Sequence, residues 1–316
     1  MTRAQGAGSR HMLTRASLAL ALSVAALGCD KLPFGKKVDA GPPPAGVSSV
    51  PPKVQEGKAL LDAGQLDEAL AKLAELPDDP VSLYYQGVIY VRKGKATPLP
   101  ESGYRPEDKN AAILLERAIA AKPEFAAAHF TLAEVLLPYT EQHHGSAKKK
   151  ARAASPAAPD DPDSSPERVA RAYQAAVQYD KSSRAPIDAL MKFAREMKRP
   201  DDADIAYREL LLREKESAAP HIAYGDFLAR EKKDPLHAIE QYQLALVWTP
   251  QDAVPNVPKE RIGTVYLDWA EDHFTKGEWA NAAARLKDSQ KWVSDPASPA
   301  GQRLRALQTK LAEIRR

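Results

Sequence analysis

Cysteine is almost missing from this chain: Cys29 is the single one among 316 residues. One thiol can form neither an intramolecular disulfide nor a cysteine-based metal cluster, which excludes disulfide scaffolds and cysteine zinc folds. No stretch alternates apolar and polar residues between turns, so no strand is expected. The apolar run from Ala16 to Leu27 is shorter than the roughly 20 residues a membrane-crossing helix needs. There is no G-x-S-x-G, no G-x-x-x-x-G-K and no H-E-x-x-H, and we expect neither enzyme activity nor a cofactor or bound metal. Excess charge of one sign is missing too. Lys+Arg number 45 and Asp+Glu 42; without Arg3, Arg10 and Arg15, which precede every acidic residue, the balance is 42 against 42. A nucleic-acid partner is therefore not expected, because binding a polyanion calls for a basic face.

What the chain has is a recurring pair of helical patterns. Ala238, Tyr242, Ala245 and Pro250 follow a helix carrying Tyr224-Gly225 and Leu228, and the same offsets recur as Ala111, Leu115, Ala118 and Pro123 after Gln86-Gly87 and Tyr90. Weaker copies contain Gly57, Leu60, Gly64, Ala69, Leu73 and Leu76; Leu132, Ala133 and Leu136 with Val169, Tyr173 and Ala176; and Leu190, Ala194, Ala203, Tyr207 and Leu210. A sixth contains Trp269, Ala270, His273, Gly277, Ala282, Leu286 and Ser289. This pattern resembles the tetratricopeptide repeat (TPR), with its W-x2-L-G-x2-Y helix A and A-x3-F helix B, a repeat of about 34 residues.

The resemblance implies an all-α solenoid of about six helix pairs over residues 54–316, with about thirteen helices and a last one, Pro299 to Arg316, capping the end. Longer spacings are assigned to loop insertions at about 96–109, 138–165 and 251–261, where extra length costs little. Asp79-Pro80, Ser165-Pro166 and Ser298-Pro299 read as helix starts that pair a capping side chain with a first-turn proline. Gly64, Gly94 and Gly277 read as left-handed residues leaving helix A.

By the family's geometry, helix A lines a groove. The resemblance assigns to it Tyr84, Val88, Val91, Phe130, Glu134, Lys192, Arg195, Ile222, Asp226, Arg230 and Glu271, apolar early and charged late, a surface for an extended partner segment. In the competing reading Tyr84, Val88 and Phe130 only pack beneath neighbouring segments. His129, His221, His237 and His273 read as packing residues. His143-His144, Lys148 to Arg152 and Asp160-Asp161 read as a self-compensating loop.

The N-terminus is a separate object. Arg3, Arg10 and Arg15, the apolar run, and Ala26-Leu27-Gly28-Cys29 resemble a bacterial lipoprotein signal. The resemblance implies removal of residues 1–28, lipidation of Cys29 and a periplasm-facing envelope protein, with the outer membrane favoured over the inner. Residues 29–53 are rich in proline and read as a tether, some 20 residues of which would reach up to roughly 60 Å at about 3 Å per residue. Together these readings point to a membrane-anchored scaffold or adaptor for protein partners, in pilus, secretion or outer-membrane assembly. The alternatives are a subunit of a cell-wall enzyme, for which Glu116, Glu134 and Glu271 are the candidate carboxylates, and a peptidoglycan-binding tether.

Overall fold

Thirteen α-helices make up the computed structural model, which describes residues 50–144, 162–250 and 256–314. Cys29, the tether up to residue 49, and the charged run from Lys148 to Asp161 lie outside the described residues, and the last two tether residues, Pro52 and Lys53, belong to the first helix. The helices are α1 Pro52–Asp62, α2 Leu66–Ala74, α3 Pro80–Gly94, α4 Pro106–Ala121, α5 Ala126–His144, α6 Pro166–Tyr179 and α7 Ala185–Glu196. They continue as α8 Pro200–Arg213, α9 Ala218–Phe227, α10 Pro235–Val247, α11 Val257–Thr275, α12 Trp279–Gln290 and α13 Pro299–Ile314. A five-residue π-helical turn, Leu228–Lys232, extends α9. There is no strand among the described residues.

Consecutive helices pair as α1/α2 through α11/α12, and substantial contacts reach no further than the helix two places along. This is an α-solenoid of six TPR-like helix pairs with α13 packed on the last. The first, second and fifth pairs close tightly because the residue facing the partner helix is glycine. A Cβ on Gly57 would stand 2.6 Å from Leu73, one on Gly87 2.9 Å from Leu115, and one on Gly225 2.6 Å from the Tyr242 ring. Each glycine creates a hollow, and the opposite Leu or Tyr fills it, so interior density is kept without voids.

No pair owns a private core. Ile187, Leu190 and Phe193 of α7 belong to the apolar cluster running back to Val54, whereas Ala194 on the same helix joins the next cluster with Tyr224 and Tyr242. In α11, Ile262 and Val265 face back to that second cluster while Leu267, Ala270 and Phe274 face forward to Leu304, Leu307 and Leu311 of α13. Neighbouring pairs thus share buried area, which is how single helix pairs too small to fold alone become stable.

The expected caps are present. Asp79 accepts from the Ser82 amide at 2.7 Å, Ser165 from Arg168 at 3.3 Å and Ser298 from Gly301 at 3.1 Å, each ahead of a proline in the first turn. Gly64 and Gly277 have φ of 81° and 74°. Gly94 differs from the expectation: it is the last residue of α3 and buried, with its missing Cβ making room for Asp108, 2.9 Å from where that atom would lie. The equivalent left-handed positions in the fourth and fifth pairs hold Lys198 (φ 55°) and Lys233 (φ 56°).

Helix bounds also cut into the segments read as loops. Helix α4 begins at Pro106, and α11 begins at Val257 with Pro258 in its first turn. Helix α5 runs through Pro138 to His144. It continues past the proline because Tyr139 and Thr140, both fully buried, are worth more packed than released.

The segment 95–105 is stitched down. The Arg105 guanidinium donates to the carbonyls of Gly94 and Thr97, both at 2.6 Å, and through Nε to Asp108 at 2.7 Å. Tyr139 on α5 donates to the same Asp108 carboxylate at 2.6 Å, and Gln142 donates to the carbonyls of Pro100 and Glu101. Burial, reinforced by the Asp108 carboxylate, pushes the Tyr139 hydroxyl up to about 12.

Candidate functional site

The residues assigned to a helix A groove range from fully buried to exposed. Tyr84 and Val88 are 8% and 2% exposed and sit in the first core cluster, where the Tyr84 ring meets Phe125 at 5.0 Å. They have little surface to present. Val91, Phe130 and Ile222 are half-buried, and Phe130 packs against Tyr173 at 6.0 Å.

The charged members fall one or two at a time on alternate helices: Glu134 on α5, Lys192 and Arg195 on α7, Asp226 on α9 with Arg230 in its π-helical extension, and Glu271 on α11. Glu134 on α5 accepts from Tyr173 on α6 at 2.6 Å. Asp226 on α9 accepts from Tyr242 on α10 at 2.7 Å and forms an ion pair with Arg261 on α11 at 3.2 Å. Glu271 on α11 receives two hydrogen bonds from Arg303 on α13, at 2.7 and 2.6 Å, and Arg303 also reaches Asp268 at 2.7 Å. Arg195 and Arg230 are exposed; Lys192 is half-buried. Burial raises the Tyr173 and Tyr242 hydroxyls, and the accepting carboxylates Glu134 and Asp226 raise them further, so both remain donors across the ordinary pH range. Arg303 holds Glu271 below the usual glutamate range, chiefly through these hydrogen bonds.

The carboxylates considered for chemistry do not converge. Glu116 pairs with Arg168, Glu134 with Tyr173 and Glu271 with Arg303, on different helix pairs. Acid–base work on one substrate needs two such groups within reach of the same atoms. The histidines have local partners: His129 with the Pro123 carbonyl at 2.7 Å, His221 with Gln241 at 3.0 Å, His237 with Asp234 at 2.6 Å and His273 with Glu278 at 2.5 Å. Among the described residues no group of three His, Cys, Asp or Glu side chains is placed to hold a metal, and no helix is long and apolar enough to cross a membrane.

Sequence reasoning did not find an open cleft of about 580 Å³ between α4, α5 and α6. Its apolar lining, the floor, is Ile119, Ala120, Leu132, Ala172 and Ala175; the polar lining residues are Glu116, His129, Arg168 and Arg171. The Glu116–Arg168 ion pair joins residues 52 apart in sequence, and nothing local in the repeat pattern announces it.

No protein-family model and no curated protein matches the chain. Solved structures similar to it include PilF of Pseudomonas aeruginosa, 15% identical over 80% of this chain and 95% of that one, with a TM-score of 0.37. Another is TTC0263, a thermophilic TPR protein of Thermus thermophilus, 16% identical over 68% of this chain and 97% of that one, TM-score 0.34. A third is YrrB, a TPR protein with an unusual peptide-binding site, 16% identical over 65% of this chain and 88% of that one, TM-score 0.38.

Proposed function

We propose that this protein is a lipid-anchored scaffold of the bacterial envelope, facing the periplasm and holding protein partners, in an assembly such as a pilus, secretion or outer-membrane machine. One observation carries the scaffold reading. The apolar residues of the repeat pattern are largely consumed in pair-to-pair packing, and what the helices A of the later pairs leave at the surface is mostly polar and charged side chains, repeated on alternate helices. Glu134, Arg195, Arg230 and the Asp226–Arg261 pair are spread along the stack. A surface with that spacing suits an extended polypeptide, which makes a contact at each helix, better than a small substrate, which needs converging groups. Anchoring is supported by the basic N-terminus, the apolar run and Cys29.

Two measurements test the reading. Cys29→Ser is expected to leave the membrane fraction for the soluble periplasm; co-sedimentation equal to that of the parent sinks the anchor. Affinity capture with the full chain is expected to retain a stoichiometric envelope protein that the double variant Arg195→Glu/Arg230→Glu loses, and an identical capture by both sinks the helix A face as the partner surface.

A further inference from the structure

We infer that the cleft between α4, α5 and α6 is a second docking surface, taking a short acidic peptide segment that carries one apolar side chain. The inference rests on the scaffold reading and adds to it a site built mainly from helices B of the second and third pairs. Three of the five floor residues, Ala120, Ala172 and Ala175, are alanines, and this is what leaves depth between two helices that would otherwise interdigitate. A leucine or phenylalanine side chain from a partner replaces the missing volume. The wall at one end is fixed: His129 is held by the Pro123 carbonyl and its ring stacks on Tyr179 at 5.8 Å.

Charge selects the occupant. The rim has two guanidinium groups against one carboxylate. Glu116 engages Arg168 through Nη2, while the Arg168 Nε, shielded from water, has no hydrogen-bond partner. Arg171 is exposed and has no ion-pair partner among the described residues. A wholly apolar ligand would desolvate the exposed Arg171 without compensation, and a bare anion would gain nothing from the floor. A peptide carrying a carboxylate beside an apolar side chain satisfies both, with the planar guanidinium suited to carboxylate geometry.

The test uses the full-length Cys29→Ser chain and a panel of capped, fluorescein-labelled ten-residue peptides, each with one Phe or Leu flanked by one to three Glu. Fluorescence anisotropy is expected to show binding that strengthens with each Glu. Arg171→Glu, an exposed change, is expected to weaken it by about tenfold or more. Ala175→Trp, which fills the cleft, is expected to do the same, with unchanged circular dichroism in both. The inference is overturned by absence of binding at about 1 mM peptide, by equal binding of Gln-for-Glu peptides, or by insensitivity to both variants. It is also overturned if inorganic phosphate or anionic lipid vesicles displace the peptides as well as unlabelled peptide does. Loss of binding in Arg195→Glu/Arg230→Glu alone overturns the cleft while leaving the scaffold reading intact. Failure to capture any envelope protein has the reverse meaning.

Discussion

The hydroxyl of Tyr242 donates to the carboxylate of Asp226 at 2.7 Å, while its ring lies in the hollow left by Gly225, the residue just before that aspartate. The third pair repeats the polar half of this arrangement with Tyr173 and Glu134. The first two pairs use Leu73 and Leu115 on Gly57 and Gly87 instead. Tyr242→Phe is expected to cost about 1–2 kcal/mol, because it leaves a partly buried carboxylate short of a donor. Gly225→Ala is expected to cost about 1–3 kcal/mol, because its methyl meets the ring and either helix must shift. Urea unfolding of the two single variants checks both; a Gly225→Ala protein as stable as the parent would remove the case for close approach in this pair.

Lys198 and Lys233 occupy a left-handed conformation that costs a residue with a Cβ about 1 kcal/mol and glycine almost nothing. Each of Lys198→Gly and Lys233→Gly is therefore expected to raise stability by about 0.5–1 kcal/mol, where glycine in a helix would lower it. Thermal melts decide the sign. A lower melting temperature for both would mean that their side chains contribute more than the backbone strain removes.

Asp108 is 3% exposed and balances Arg105 while accepting from Tyr139. Asp108→Ala leaves the guanidinium unpaired beside buried groups, and a loss of about 3 kcal/mol is expected. The same change should free the segment 95–105, so limited proteolysis ought to cut there in the variant and spare the parent. Equal cutting in both would show that Gln142 and the Arg105 carbonyl contacts hold the segment unaided.

The Arg303–Glu271 bond makes part of the last interface depend on pH. Because Arg303 depresses the Glu271 pKa in the folded chain, the unfolded chain takes up that proton more readily. The contribution is present in full above the ordinary glutamate value of 4.5 and fades as pH falls through the depressed folded value. Parent and Arg303→Ala should therefore differ in urea midpoint at neutral pH and converge in acid. A difference that stays constant down to about pH 3 would assign the stabilisation to packing of the Arg303 stem.

The helix-pair architecture was legible because its determinants are local. Gly57, Gly87 and Gly225 mark close approaches, Asp79-Pro80 and Ser165-Pro166 mark starts, and both sit at fixed offsets within a repeat. Gly94 misled because a glycine at a helix end serves a turn in one place and a neighbour's carboxylate in another, and only Asp108 in space tells them apart. Lys198 and Lys233 were invisible because strain leaves no compositional trace when the residue adopting it is not glycine. Pro138 looked like a boundary until Tyr139 and Thr140 were seen to be buried beyond it. The faces open to partners were the least legible part. Tyr84 occupies a groove position by register, yet Phe125, in the turn between α4 and α5, packs against it, and the Glu116–Arg168 pair beside the cleft joins residues 52 apart.

Since every substantial contact joins helices one or two places apart, load applied along the chain meets the interfaces in series. A pull at the leading end of the described residues is borne first by α1 and α2, whose substantial contacts there are with each other and with α3, and a pull at the trailing end by α13, held to α11 and α12 by Arg303 and a row of leucines. Under tension such an array should shed its pairs stepwise from whichever end is gripped, as a sawtooth of short releases in single-molecule stretching, while the interior pairs keep their partners.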